Sequence, residues 1–258
     1  MNFIRNYHTH TKRCGHAVGE DEEYVIEAIK MGIKVLGFSD HVMIPNVSEL
    51  NVRAEYSQMD DYFQSIKYLK GKYKDQIEIL LGFETEYSKD YEEYYAYLLK
   101  EKVDYMLLGQ HNFFENNKVI YYTVQDGPIE DTIHYVDDVI DGIHSGLFKY
   151  LCHPDLYLYS QKTWNKDLER EGRRILKACE EANFPIELNI CGMRKTGYDG
   201  EHYSYPNKNF FKMVKDYKVK VVLGIDAHDP RNFNKEDVER ALKFADECGF
   251  KVDLDYKI

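Results

Sequence analysis

The chain has 258 residues and carries 34 Lys+Arg against 45 Asp+Glu, a formal net charge of −11; 43% of it is hydrophobic and 14% aromatic, with 16 Gly and 6 Pro. This composition builds an ordinary folded core and excludes disordered, collagen-like and low-complexity chains. The acidic excess argues against a nucleic-acid partner, whose phosphate backbone is held by clustered Lys and Arg, and it sets off ten histidines as the feature to follow.

Short runs rich in Val, Ile, Leu and Phe alternate with longer charged segments whose apolar residues recur at three and four, the pattern of parallel strands joined by helical crossovers. In chain order the reading is a strand at 2–8, a helix at 21–32, a strand at 34–39, a helix at 55–72, a strand at 77–83, a helix at 90–102 and a strand at 104–109. A helix at 130–145, a strand at 148–152, a helix at 165–182, a strand at 185–190, a helix at 207–217, a strand at 219–225 and a helix at 235–249 complete it. No Pro/Gly/Ser-rich linker and no internal repeat interrupts these units, so a single domain over 1–258 is expected, an α/β chain closed or nearly closed into a barrel. No stretch approaches ~20 consecutive apolar residues and the opening MNFIRNYHTHTKRC has no apolar signal core, so a cytoplasmic protein without a membrane partner is expected. Cys14, Cys152, Cys179, Cys191 and Cys248 include no CxxC pair, as free thiols would.

In such barrels reactive groups gather where the strands end. Here strand after strand ends in metal-competent groups: His8-Thr9-His10, Ser39-Asp40-His41, Gly82-Phe83-Glu84, Gly109-Gln110-His111, His153-Pro154-Asp155 and Asp226-Ala227-His228. Alternation along a strand points His8 and His10 to one face, and likewise Asp226 and His228, as chelation of one ion requires. A metal centre of imidazoles and carboxylates is expected, of a kind that suits Zn, Mn or Fe.

These motifs, with Gly15-His16, occur in order over nearly the whole chain and are identified as those of the PHP (polymerase and histidinol phosphatase) superfamily of metal-dependent phosphoesterases. The resemblance implies a distorted TIM-like (β/α)7 barrel binding two to three divalent ions. It places His8, His10, Glu84 and Asp226 on a first ion, Glu84 with His111 and His153 on a second, and His16, His41 and His228 on a third. The run Glu187-Leu-Asn189-Ile-Cys-Gly192-Met-Arg194-Lys195, with Tyr205-Pro206 downstream, resembles the histidinol-phosphatase branch. That likeness implies a phosphomonoesterase that hydrolyses L-histidinol phosphate in histidine biosynthesis by attack of a metal-bridging hydroxide. Glu84, Asp226 and Arg194 are then its catalytic residues, Arg194 as phosphate clamp. Arg194, Lys195, Glu187, Asn189 and His202 are its substrate contacts, His202 equally readable as an exposed loop residue. At Gly109-Gln110-His111 the chain departs from that branch, which tends to carry a small hydroxyl residue there, so another small phosphate ester, a nucleotide or a phosphotyrosine remains an alternative substrate. A non-catalytic metal-binding module is the third reading, disfavoured because all nine ligand positions are filled.

Around this set, Asp40 and Asp155 either orient ligand histidines or cap helices, and Glu86 either meets a substrate amine or is exposed. His134 and His144 fall in a predicted outer helix and are read as solvated or packed. Cys14 and Cys152 lack the basic cradle of a cysteine phosphatase. Leu156 to Ser160 are read as core, with pocket lining as the alternative, and most tyrosines as packing.

Overall fold

In the computed structural model, which describes residues 3–115, 118–122 and 127–258, parallel strands succeed one another around a curled sheet. Strands β1 (Arg5–Asn6), β2 (Val35–His41), β3 (Glu78–Thr85) and β4 (Tyr105–Leu108) pair in sequence order. The chain then leaves the sheet in an antiparallel hairpin of β5 (Asn112–Glu115) and β6 (Lys118–Tyr121). It returns at Leu151, a single bridging residue that pairs in parallel with Leu108 on one side and Ile186 on the other. Next come β7 (Ile186–Asn189) and β8 (Val221–Gly224), and a parallel bridge between Ala227 and Thr9 closes the circle, the His10 N–H donating to the Ala227 carbonyl at 2.9 Å. The expected (β/α)7 order is thus present, with the fifth strand reduced to one residue. Residue 2, the expected start of the first strand, lies outside the described residues.

Eight α-helices are described: α1 (Asp21–Met31), α2 (Met59–Lys72), α3 (Glu92–Glu101), α4 (Ile129–His144), α5 (Lys166–Glu181), α6 (Ile190–Met193), α7 (Lys208–Met213) and α8 (Lys235–Cys248). Their ends obey local chemistry. Glu20 and Glu23 form a capping box at the start of α1, the Asn165 and Asn234 side chains accept first-turn N–H groups of α5 and α8, and Gly249 ends α8 at φ 84°, where a Cβ would be strained. Each helix buries one stripe, as α4 does with Tyr135, Val136, Val139 and Ile143, and each such side chain contributes about 1.5–3 kcal/mol. The expected helix at 55–72 begins as a 3-10 turn at Tyr56–Gln58, and the one at 207–217 divides into α7 and a 3-10 turn at Val214–Asp216. The hairpin, α6 and a short β9 (Val252–Asp253) beside β8 are additions to the sequence-based expectation. Among the described residues no helix is long and apolar enough to cross a membrane.

The barrel floor is plugged. Tyr7, Val35, Tyr105, Leu107, Tyr150, Cys152 and Val222 fill it, and the Tyr105 O–H donates to the carbonyls of Tyr7 (2.6 Å) and Phe38 (3.0 Å). Gly37 makes room for that phenol, since a Cβ there would lie 2.2 Å from its oxygen. With these side chains filling the floor, the barrel interior opens at the rim formed by the strands' C-terminal ends.

Candidate metal-binding site

Every sequence-expected ligand arrives at this rim. Parallel register sets His41 directly beside Glu84, and the closing bridge brings the His8–His10 segment against Asp226 and His228. Glu84 lies at the centre. Its Oε2 is 3.4 Å from His8 Nε2, 3.3 Å from His10 Nε2 and 3.4 Å from His41 Nδ1; its Oε1 is 2.7 Å from His153 Nε2 and 3.6 Å from His111 Nε2. Asp226 Oδ1 lies 3.5 Å from His8 Nε2, 3.2 Å from His10 Nε2 and 3.3 Å from His228 Nδ1. His16 completes the outer edge, exposed, its ring centroid 4.6 Å from that of His228 and its Nδ1 donating to the Cys14 carbonyl.

The electrostatics are those of a site built around cations. Burial opposes charge on His8 and His10, but Asp226, Glu84 and their neighbours outweigh it and lift both well above the usual imidazole range. Burial and the His10 charge drive His41 well below that range and His228 down to about 3, while the surrounding imidazoles hold Glu84 and Asp226 far below ordinary carboxylates despite their burial. His10 Nδ1, His41 Nδ1, His153 Nδ1, Asp226 Oδ1 and His228 Nε2 are buried without a hydrogen-bond partner. Of these, His41 Nδ1 and Asp226 Oδ1 face other ligands across the rim, and the sets His8–His10–Asp226, His8–Glu84–His153 and His10–His41–His228 each bring their ligand atoms within 4.8 Å of one another, a spacing that suits a divalent ion. The donors therefore fit divalent metal.

Two glycines and two strained residues hold this geometry. A Cβ on Gly109 would sit 2.1 Å from Glu84 Oε1, and one on Gly224 would sit 1.7 Å from Glu187 Oε1. His153 (φ 29°) and Asp226 (φ 49°) occupy the left-handed region that disfavours side chains, as residues at functional sites do when their surroundings dictate position.

Several expectations about the neighbours are corrected. Glu187 and Asn189 are fully buried behind the ligands and face no substrate: Glu187 Oε1 accepts from His8 Nδ1 (2.8 Å), its Oε2 accepts the His153 N–H (3.2 Å), and Asn189 Nδ2 donates to Glu187 (2.8 Å) and Asp226 (3.1 Å). Arg194, expected as the phosphate clamp, has its guanidinium engaged by protein partners in this structure. Nε contacts Asp237 at 2.6 Å, and the two terminal nitrogens donate to the carbonyls of Ile225 and Asn232 at 3.1 Å each. Glu86 is buried and neither exposed nor at the substrate's side; it accepts from His111 Nδ1 at 3.0 Å and pairs with Arg53 at 2.8 Å. Asp155 bonds no nitrogen of the His153 ring, and although it stands at the start of the 3-10 turn Leu156–Ser160 its side chain makes no cap hydrogen bond. It accepts the Asn207 N–H, and burial pushes its carboxyl up to about 7. Asp40 does face His10 Nδ1, at 3.6 Å, while accepting from Thr11 and from the His41 N–H.

The centre opens into a cavity of about 280 Å³ that also touches Tyr121, Leu156, Cys191, Lys195 and Tyr205. Lys195 and Tyr205 are shared with an adjoining cavity of about 550 Å³ walled by Tyr159, Tyr198, Asp199 and His202. The Lys195 ammonium stands 4.9 Å over the Tyr159 ring and 5.5 Å over that of Tyr205, and His202 Nδ1 meets Asp199 Oδ2 at 2.8 Å. Tyr121 and Cys191 are lining residues beyond the sequence-based expectation, the first because it sits on the hairpin, which that expectation lacks. Cys14 and Cys152 are buried, the Cys14 thiol pushed up to about 11, and His134 pairs with Asp138 on α4, away from the rim.

Residues 6–190 match the PHP domain model. A Deinococcus radiodurans protein named a probable histidinol-phosphatase is 26% identical over 239 residues, 89% of this chain and 88% of its own. The histidinol-phosphatase of Bacillus subtilis is 23% identical over 252 residues, covering 87% and 93%. The fold is shared with histidinol phosphate phosphatase from Lactococcus lactis, solved with zinc, L-histidinol and phosphate, at a TM-score of 0.70, 16% identity and coverage of 97% and 95%.

Proposed function

Because the chain belongs to the PHP domain family, we propose that it is a metal-dependent phosphomonoesterase that hydrolyses L-histidinol phosphate to L-histidinol and phosphate, acting as one domain over residues 1–258. The observation that carries this reading is the convergence of seven histidines, Glu84 and Asp226 on one rim that opens, through Lys195, into an aromatic-walled cavity. His8, His10, Glu84 and Asp226 would hold one ion, Glu84, His111 and His153 a second, and His16, His41 and His228 a third, drawn from Zn, Mn or Fe. Bound there, such ions neutralise phosphate charge and make water a nucleophile near neutral pH.

The chain's own residues do the rest. Glu187 accepts a hydrogen bond from His8 Nδ1 and so keeps the proton on that nitrogen, leaving the Nε2 lone pair to point inward, and Asn189 steers Asp226 by holding its outer oxygen. Lys195 presents a point charge to the phosphate oxygens where the two cavities meet, its position set by the faces of Tyr159 and Tyr205. The larger cavity receives the organic part of the ester, with the Tyr159 and Tyr205 rings beside a heteroaromatic group and Asp199 and His202 at its far wall. The Cys14 and Cys191 thiols are not built as nucleophiles, since burial pushes them up to about 11 and about 12. The partner is a small phosphorylated amino alcohol rather than a nucleic acid, and the place of action is the cytoplasm, where the five cysteines stay free.

Glu84→Gln tests the reading. It is expected to abolish phosphate release, because an amide offers one acceptor oxygen where Glu84 turns a different oxygen to each group of imidazoles. Near-normal turnover by that variant with its full metal content would contradict the assignment.

A further inference from the structure

A buried ionic network outside the ligand set reaches one of its members. Arg53, in the loop between β2 and α2, has a fully buried guanidinium that contacts Glu86 Oε2 at 2.8 Å and Glu49 Oε2 at 3.1 Å and donates to the Val42 carbonyl. The other oxygen of Glu86 accepts from His111 Nδ1 at 3.0 Å, and Nε2 of the same ring faces Glu84. The other oxygen of Glu49 accepts from the O–H of Tyr121, the last residue of β6, so Arg53 also ties down the hairpin that walls the cavity.

Such a network is costly to bury, and replacing buried ion pairs by apolar residues often leaves stability unchanged or improves it. Its geometry points to a different role. Among the ligand histidines of the second ion, the His153 Nδ1 has no partner, whereas His111, the more exposed of the two with 21% of its side chain accessible, has its ring locked. We propose that Arg53 and Glu86 are positioning residues: Arg53 fixes the Glu86 carboxylate, which in turn holds the His111 proton on Nδ1 and its Nε2 lone pair toward Glu84 and the second ion. Glutamine at position 86 offers a single acceptor oxygen, so it satisfies Arg53 or His111 but not both. This inference rests on the reading of His111 as an ion ligand.

The test compares wild type, Glu86→Gln and His111→Ala, each loaded with zinc, by counting bound ions per chain during titration with a chelator and by steady-state kinetics. Expected is loss of one ion by His111→Ala, and 10- to 100-fold weaker retention of that ion by Glu86→Gln, with kcat lowered and KM within about twofold. If His111→Ala loses an ion while Glu86→Gln holds all of them as wild type does, the positioning role is overturned and the ligand reading stands. If His111→Ala keeps its full complement, the ligand reading fails and the positioning role with it. Should Glu86→Gln not fold, nitrogen-edited spectra of the zinc-loaded wild type decide: a slowly exchanging Nδ1 proton on His111 supports the role, and a ring bound through Nδ1 refutes it.

Discussion

Replacing Gly109 by alanine isolates the packing that positions Glu84. Gly109 is not among the residues at positive φ, so alanine meets no backbone penalty there, and the effect is one of space alone. The new Cβ would stand 2.1 Å from Glu84 Oε1, against the 3.0 Å below which real Cβ contacts are essentially absent, so the carboxylate must retreat by about 0.9 Å. That oxygen is the one 2.7 Å from His153 Nε2. Misplacement of a reacting group by about 1 Å costs on the order of 10²-fold in rate, or about 2.7 kcal/mol of barrier, while overpacking costs about 1–3 kcal/mol of stability. The assay is phosphate release from histidinol phosphate at saturating substrate, with ion content per chain and a thermal melt measured on the same preparation. A kcat within twofold of wild type at full ion content would refute the reasoning, because Glu84 would then hold its place without the space that Gly109 leaves.

Two cationic neighbours are expected to separate by their response to alanine. Lys195→Ala raises KM about tenfold with ions and melting temperature retained. Arg194→Ala instead lowers stability by about 1.5–3 kcal/mol through loss of Asp237 and two carbonyls, with KM little changed; the opposite pattern would return the phosphate to Arg194. Asp155 has its carboxyl raised to about 7 in the folded chain from an ordinary 3.8, so the folded state binds the extra proton and this group removes stability as pH rises from about 4 to about 7, with no further change above. Asp155→Asn should therefore gain melting temperature over wild type across that interval, and a difference that stays constant with pH would show that the buried carboxyl is already ionised.

The rim was legible because its signals are periodic. His-x-His and Asp-x-His follow the ends of β1 and β8, where the Thr9–Ala227 bridge sets the two pairs side by side, Asp226 through a left-handed backbone that alternation does not foresee, and the register of β2 on β3 sets His41 beside Glu84. What alternation does not carry is depth or the direction of side chains after a strand ends. Glu187 and Asn189 point inward, as their spacing implies, yet stop behind the ligands, and the single turn of α6 sends Arg194 away from the cavity while Lys195 lines it. Arg53 and Glu49 lie in an aperiodic loop where charges usually face water, so their burial against Glu86 rests on tertiary contacts alone. The Gln110 anomaly has a structural answer as well: its side chain bonds Tyr87, Asn112 and Tyr122, pegging the start of the hairpin rather than meeting substrate.

The central claim is met most directly by kcat/KM for histidinol phosphate set against nucleoside monophosphates, phosphotyrosine and sugar phosphates, with the zinc-, manganese- and iron-loaded chain. Turnover of histidinol phosphate at least 10²-fold above every other ester, abolished by chelation and restored by added metal, is the expected result. A flat profile, a preference for another ester, or full activity in the presence of chelator would contradict it.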